Sequence, residues 1–251
     1  MSPIERDEKG FYLIPNLGKM VSVTTALSVI EKAYLRAWYG REGTKKAIFV
    51  LKKLEYLSPK ACDLLTEYLG DKFYKDAKQL MEEKAAVGTE THKQIEQYLK
   101  GESVCTKDLS REVANCFGNF FIWFSTLPEP QIIQTEHTVF SKKYGYAGTA
   151  DAIIKVGRKL YLCDWKTGVL QKKFNDTQAL QAVAYKYAAK EMNPCYKTCD
   201  LMVIRFAREG GFKATRDILH IPKKEHAKIF RAFLHTFETW KFVHGWKYVK
   251  N

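Results

Sequence analysis

Long apolar runs are missing from this 251-residue chain. No stretch approaches the roughly 18 to 20 residues that a bilayer-spanning helix needs, which excludes a protein anchored by such a helix. Residues 1–9 carry charge where a secretory signal carries an apolar core, and they lack the Arg- and Ser-rich, acid-poor make-up of a transit peptide. The expectation is an intracellular protein, cytoplasmic or acting inside a host cell, with an organelle left open. Cysteines are few and lack paired spacing: the six stand at 62, 105, 116, 163, 195 and 199. Free thiols are expected rather than a disulfide framework. Gly40-Arg41-Glu42-Gly43-Thr44-Lys45 lacks the Gly-x-x-x-x-Gly-Lys-Ser/Thr spacing of a phosphate loop and follows no strand pattern, which excludes an NTPase or helicase motor.

Acid is also in short supply. There are 28 Asp and Glu against 41 Lys and Arg, a net charge of +13, and a pI near 9.3. Such a surface suits a partner made of phosphates. The excess gathers in two stretches, six basic residues against one acidic over 36–53 and eleven against four over 205–251. Basic grooves of this kind capture nucleic acid by releasing counterions.

The most informative stretch is 148–167, Gly-Thr-Ala-Asp-Ala-Ile-Ile-Lys-Val-Gly-Arg-Lys-Leu-Tyr-Leu-Cys-Asp-Trp-Lys-Thr. Two β-prone runs, 146–156 and 160–165, flank the turn Gly157-Arg158-Lys159 and predict an antiparallel hairpin. Side chains alternate along a strand, so Asp164 and Lys166 share one face while Cys163 and Trp165 take the other. Asp151 lies on the partner strand. Two carboxylates from neighbouring strands can share a hard divalent cation, and a lysine beside them can hold a water or neutralise charge on a phosphate. Asp164 follows the apolar Leu160-Tyr161-Leu162-Cys163, where an unpartnered carboxylate would be costly to bury.

Gly148-Thr149-Ala150-Asp151, Asp164-Trp165-Lys166-Thr167 and Gln181-x-x-x-Tyr185, in this order, resemble the PD-(D/E)XK nuclease superfamily and within it the RecB-like exonuclease branch. The resemblance covers residues 20–220. It implies Asp151, Asp164 and Lys166 as catalytic residues, and Mg²⁺ or Mn²⁺ held by Asp151, Asp164, the carbonyl of Trp165 and His92. His92 enters through Gly88-Thr89-x-x-His92-x-x-x-Glu96, which matches the branch's first motif; Glu96 then serves to orient the imidazole. Glu136, on the first strand of the sheet, is a further acid near the implied site. Gln181 and Tyr185 are implied to orient the site and touch the DNA backbone, with Gln178, Thr167, Lys143 and Tyr146 as further DNA contacts. Some relatives in the branch hold a four-cysteine iron–sulfur cluster after the core; no cysteine follows 199, so none is expected here.

The expected fold is α/β, a central mixed sheet of four or five strands flanked by helices, a restriction-endonuclease-like core with a helical amino-terminal half. Residues 1–130 are expected to supply the histidine motif and a DNA-covering arch, and 131–251 the nuclease core with a basic carboxy-terminal helix, the two forming one compact unit. Helices are expected to break near Ser58-Pro59 and Gly70-Asp71, and the aromatic run 117–124 is expected to pack as core. The implied activity is a metal-dependent DNA exonuclease acting on single strands or ends in recombination, repair or replication. The alternatives are a structure-selective endonuclease and a non-catalytic DNA-binding accessory protein.

Overall fold

In the computed structural model, which describes residues 4–30, 59–170, 176–210 and 216–245, the chain opens with a hairpin of β1 (Tyr12–Ile14) and β2 (Gly18–Ser22). Ser22 then caps α1 (Val23–Ala26), its Oγ accepting from the Thr25 amide at 2.9 Å. Leu35, Trp38 and the loop-like 40–45 lie outside the described residues. The helix α2 (Pro59–Leu99) runs 41 residues without a break. Pro59 starts it, where the missing N–H would have had no helical partner. The break expected at Gly70 does not occur, since one interior glycine costs only about 1 kcal/mol.

After α3 (Arg111–Ser125), capped by Ser110, come β3 (Gln131–Ser141), β4 (Tyr146–Val156) and β5 (Lys159–Gly168). The helix α4 (Asp176–Met192) crosses over to β6 (Asp200–Ala207). Then β7 (Arg216–Leu219) and α5 (His226–Val243) complete the described chain. The result is an α/β fold on one mixed sheet. Among the described residues it has seven strands rather than four or five, in the order β1-β2-β4-β5-β6-β7 with β3 on β4.

The extra strands have a consequence for β4. One edge of β4 is taken along its length by antiparallel β3. The other edge is shared: parallel β2 pairs at Tyr146 and Ala147, and antiparallel β5 pairs from Ala152 to Val156. From Gly148 to Asp151 that second edge has no strand partner among the described residues, so β2 and β5 splay apart there. Regular pleating also fails at this point. Ala150 packs in the core beside α4, whereas Ala152 and Ile154 pack in the core beside α3. Opposite Asp151, bracketed by the pairs Thr135↔Ala152 and His137↔Ala150, Glu136 adopts φ +46°. A non-glycine residue held there is strained, and such strain gathers at functional sites.

Both sheet faces are covered. One core joins Val139, Tyr146 and Leu162 to α1, α4 and α5. The other stacks Phe117, Phe120, Trp123 and Phe124 of α3 on Cys163, Trp165 and Phe206. The run 117–124 is therefore packing material, as its aromatic density predicts. The chain divides into two compact units, Met1–Ile30 with Glu90–Asn251, and Glu31–Thr89. The unit that holds the sheet includes β1, β2 and α3.

Candidate active site

Asp164 and Lys166 leave β5 on the α4 side, as alternation requires. Asp164 is 3% exposed, and its Oδ2 stands 2.7 Å from Lys166 Nζ as an ion pair that lacks hydrogen-bond geometry. Gln181, from α4, closes the group: its Nε2 donates to Asp164 Oδ1 at 3.3 Å and its Oε1 accepts from Lys166 Nζ at 3.2 Å. Burial raises the Asp164 pKa, with the Lys166 charge opposing the shift and the nearby Asp151 adding to it.

Asp151 occupies the fork between β2 and β5. Its Oδ2 accepts from the main-chain amide of Trp165, and its Oδ1 lies 3.0 Å from His92 Nδ1. The β4–β5 ladder ends one residue earlier, at Ala152↔Cys163, so the carboxylate takes over where main-chain pairing stops. His92 comes from the last third of α2. Burial works against its charged form, but the Asp151 carboxylate outweighs that and the imidazole pKa is raised.

A second ring of groups surrounds Asp151. The Glu136 pKa is pushed up to about 7 by burial, then by the charges of Asp151 and Glu96. The Glu136 side chain is exposed to water. Two strand positions before Asp151, Thr149 Oγ1 lies 2.9 Å from the Tyr12 hydroxyl, 3.4 Å from Thr138 Oγ1, and accepts from Arg6 Nη2 at 3.3 Å. Arg6 also bonds the Tyr12 hydroxyl. Sequence reasoning misses Arg6, Tyr12 and Thr149 as a group, because Tyr12 and Thr149 lie 137 residues apart and nothing local links them.

The other expected site residues divide in two. Thr167 and Gln178 lie beside the site, each accepting from an arginine of β6 or its end: Arg208 Nη2 to Thr167 at 3.4 Å and Arg205 Nη2 to Gln178 at 3.4 Å. Glu96 binds Lys100 Nζ at 2.5 Å rather than the imidazole, which Asp151 orients instead. Tyr185 is 4% exposed and takes a hydrogen bond from Gln181 at 2.9 Å. Its ring covers Gly148 so closely that it supports the site from beneath rather than meeting DNA. Tyr146 is fully buried, its hydroxyl donating to Ala184 O at 3.0 Å, which overturns the expectation of a DNA contact. Lys143 stands on the β3–β4 turn, and from Tyr146 to Asp151 alone the strand runs about 16 Å, so it does not reach the acids.

Among the described residues no three His, Cys, Asp or Glu side chains are assembled as a metal-holding group. The donor chemistry nevertheless fits a hard divalent cation. Asp151, Asp164 and Glu136 are oxygen donors close enough that Asp151 makes each of the other two harder to ionise. A cation would relieve that repulsion.

Comparison with known proteins adds little to this geometry. No family model matches the chain. No curated protein matches it either. Among solved structures, a candidate exonuclease from Eubacterium rectale aligns at 7% identity with a TM-score of 0.44, covering 63% of this chain and 68% of its own. The protein SSO0001 aligns at 16% identity with a TM-score of 0.34, covering 69% of each chain.

Proposed function

We propose that this chain is a divalent-metal-dependent nuclease that hydrolyses phosphodiester bonds of DNA, working from an end on single strands or DNA termini. The observation that carries the reading is the Asp164–Lys166–Gln181 group set beside the Asp151–His92 pair where β2 and β5 splay from β4. End dependence is supported by the motif order alone.

Asp151, Asp164, His92 and the main-chain carbonyl of Trp165 would hold Mg²⁺ or Mn²⁺. When bound, the ion supplies a Lewis acid for the phosphoryl oxygen and a water of lowered pKa. Lys166 is held on two sides, by Asp164 and Gln181, so its ammonium is a fixed positive charge. Such a preset charge stabilises the negative charge that grows on a phosphate during attack. Gln181 positions both partners with one amide, and Tyr185 fixes that amide in turn. His92 holds the Asp151 carboxylate in place from the open side of the fork.

The test is cleavage of end-labelled and circular single-stranded DNA with and without Mg²⁺ or Mn²⁺. Linear DNA should be degraded and circles spared. Lys166→Ala should lower the rate by about 10² to 10³-fold, the scale of removing one preset charge-stabilising group, while binding of the oligonucleotide is kept. Cutting of circles would point to an endonuclease, and absence of metal-dependent cleavage would remove the enzyme reading.

A further inference from the structure

Away from the acids, the β3–β4 turn meets α4 and α5 around a groove of about 470 Å³. Its floor is aromatic. Tyr187 and Phe230 stack with ring centroids 3.8 Å apart at 10°, and Tyr144 meets Phe230 edge-on at 5.6 Å. Its rim is cationic: Lys143 Nζ lies 5.0 Å from the Tyr144 ring centre, Lys190 Nζ 5.8 Å from that of Tyr187, and Arg231 stands opposite on α5. The one acid on the rim is committed elsewhere, since Glu191 accepts from Ser141 Oγ at 2.6 Å and from the Lys143 amide at 2.9 Å. Three exposed cations therefore surround half-buried tyrosine faces with no free carboxylate among these lining groups to neutralise them.

We infer that this groove is a second contact site for single-stranded nucleic acid, engaging nucleotides remote from the bond that is cut. The inference rests on the nuclease reading for its role, though not for binding itself. Every base has a flat face that stacks on exposed rings, and every linkage carries a charge for the rim; aromatic platforms beside cations are how unpaired strands are held without regard to sequence. A purely apolar ligand would leave the three cations without a counter-charge. Along β4 the span from Tyr146, next to the turn, to Asp151 is about 16 Å, or about five nucleotides at the 3.4 Å helical rise.

The experiment measures fluorescence anisotropy of labelled 20-nucleotide and 4-nucleotide oligothymidylates without divalent metal, on the full chain and on the doubly substituted Lys190→Glu/Arg231→Glu chain. Both reversed positions are exposed, so the fold is kept, and circular dichroism checks this. The double reversal should raise Kd for the 20-mer about tenfold or more and leave that for the 4-mer within about twofold. Photo-crosslinking of an iodouracil-substituted 20-mer should mark Tyr144 or Tyr187. An unchanged 20-mer Kd, equal losses on both lengths, or no oligonucleotide binding by the native chain overturns the groove, the last result favouring an acidic protein partner. Binding that follows the expected pattern in a chain that never cleaves DNA upholds the groove and removes the nuclease reading.

Discussion

Gly148 shows how a single hydrogen atom supports the site. A Cβ at this position would stand 2.1 Å and 2.7 Å from two ring carbons of the buried Tyr185, closer than any packed pair can be. Gly148→Ala should cost about 1 to 3 kcal/mol by overpacking. In a domain of this size, at about 2 to 4 °C for each kcal/mol, that lowers Tm by about 2 to 12 °C. Gly148→Ala combined with Tyr185→Ala should lose less than the two single losses added together, because truncating the ring removes the clash that the new methyl group meets. Strict additivity in thermal melts would show that the ring does not press on the strand. Lys186 and His226 pose a different problem at the same scale. Lys186 Nζ lies 3.4 Å from His226 Nδ1, while Nε2–H donates to Ile221 O at 3.1 Å, so the imidazole is held neutral with its lone pair toward the ammonium. Burial lowers the His226 pKa below its ordinary 6.5; the Lys186 and Lys223 charges lower it further, against Asp200 and the Ile221 carbonyl. A depressed folded pKa gives stability that is present above 6.5 and lost as pH falls through the folded value. His226→Leu should therefore be less stable than the native chain at pH 7.5, with the gap in Tm narrowing toward pH 5.5. A gap that widens would reverse the sign assigned to this pair.

Among the elements, the β4–β5 hairpin carries the site and α3 holds it still. Phe120 touches Trp123, Trp165 and Phe206 with ring centroids 5.6 to 5.9 Å apart. Trp165 lies between Asp164 and Lys166, so its packing on one face fixes the two polar side chains on the other. Phe120→Ala should cost about 3 to 5 kcal/mol and, measured below the new Tm, should also slow cleavage; full activity there would mean that the strand keeps its place without α3. The hairpin was legible because alternation and a Gly turn are local signals, and Asp164 with Lys166 followed from period two alone. The kink at Glu136 and Asp151 was not, since a left-handed glutamate within a strand has no signature in the residues beside it. Nor was the place of β2, which pairs locally with β1 but joins the sheet only through Val21 and Ser22 on β4, far along the chain. That distant pairing is what opens the fork and brings Arg6, Tyr12 and Thr149 to it. The continuous α2 was misread for the opposite reason: a local signal, Gly70, was weaker than the helix formers around it.

At the scale of the whole molecule the governing quantity is a net charge of +13. Like charges on one surface repel, so the folded chain bears an electrostatic strain that salt relieves. The same charges draw in a phosphate backbone, and there salt competes. No described helix is long and apolar enough to cross a membrane. The two effects of salt have opposite signs, and that is what makes the charge testable apart from any catalytic claim. Raising NaCl from 50 to 300 mM should leave Tm of the free chain unchanged or raise it. Over the same range log Kd for a single-stranded oligonucleotide should climb linearly with log[NaCl], with a slope of about 0.7 for each phosphate neutralised. Contacts at both the fork and the groove would engage about four to six phosphates and give a slope of about 3 to 4. A slope below about 1 would mean that the basic surface is merely solvated, and that the partner of this chain is not a polyanion.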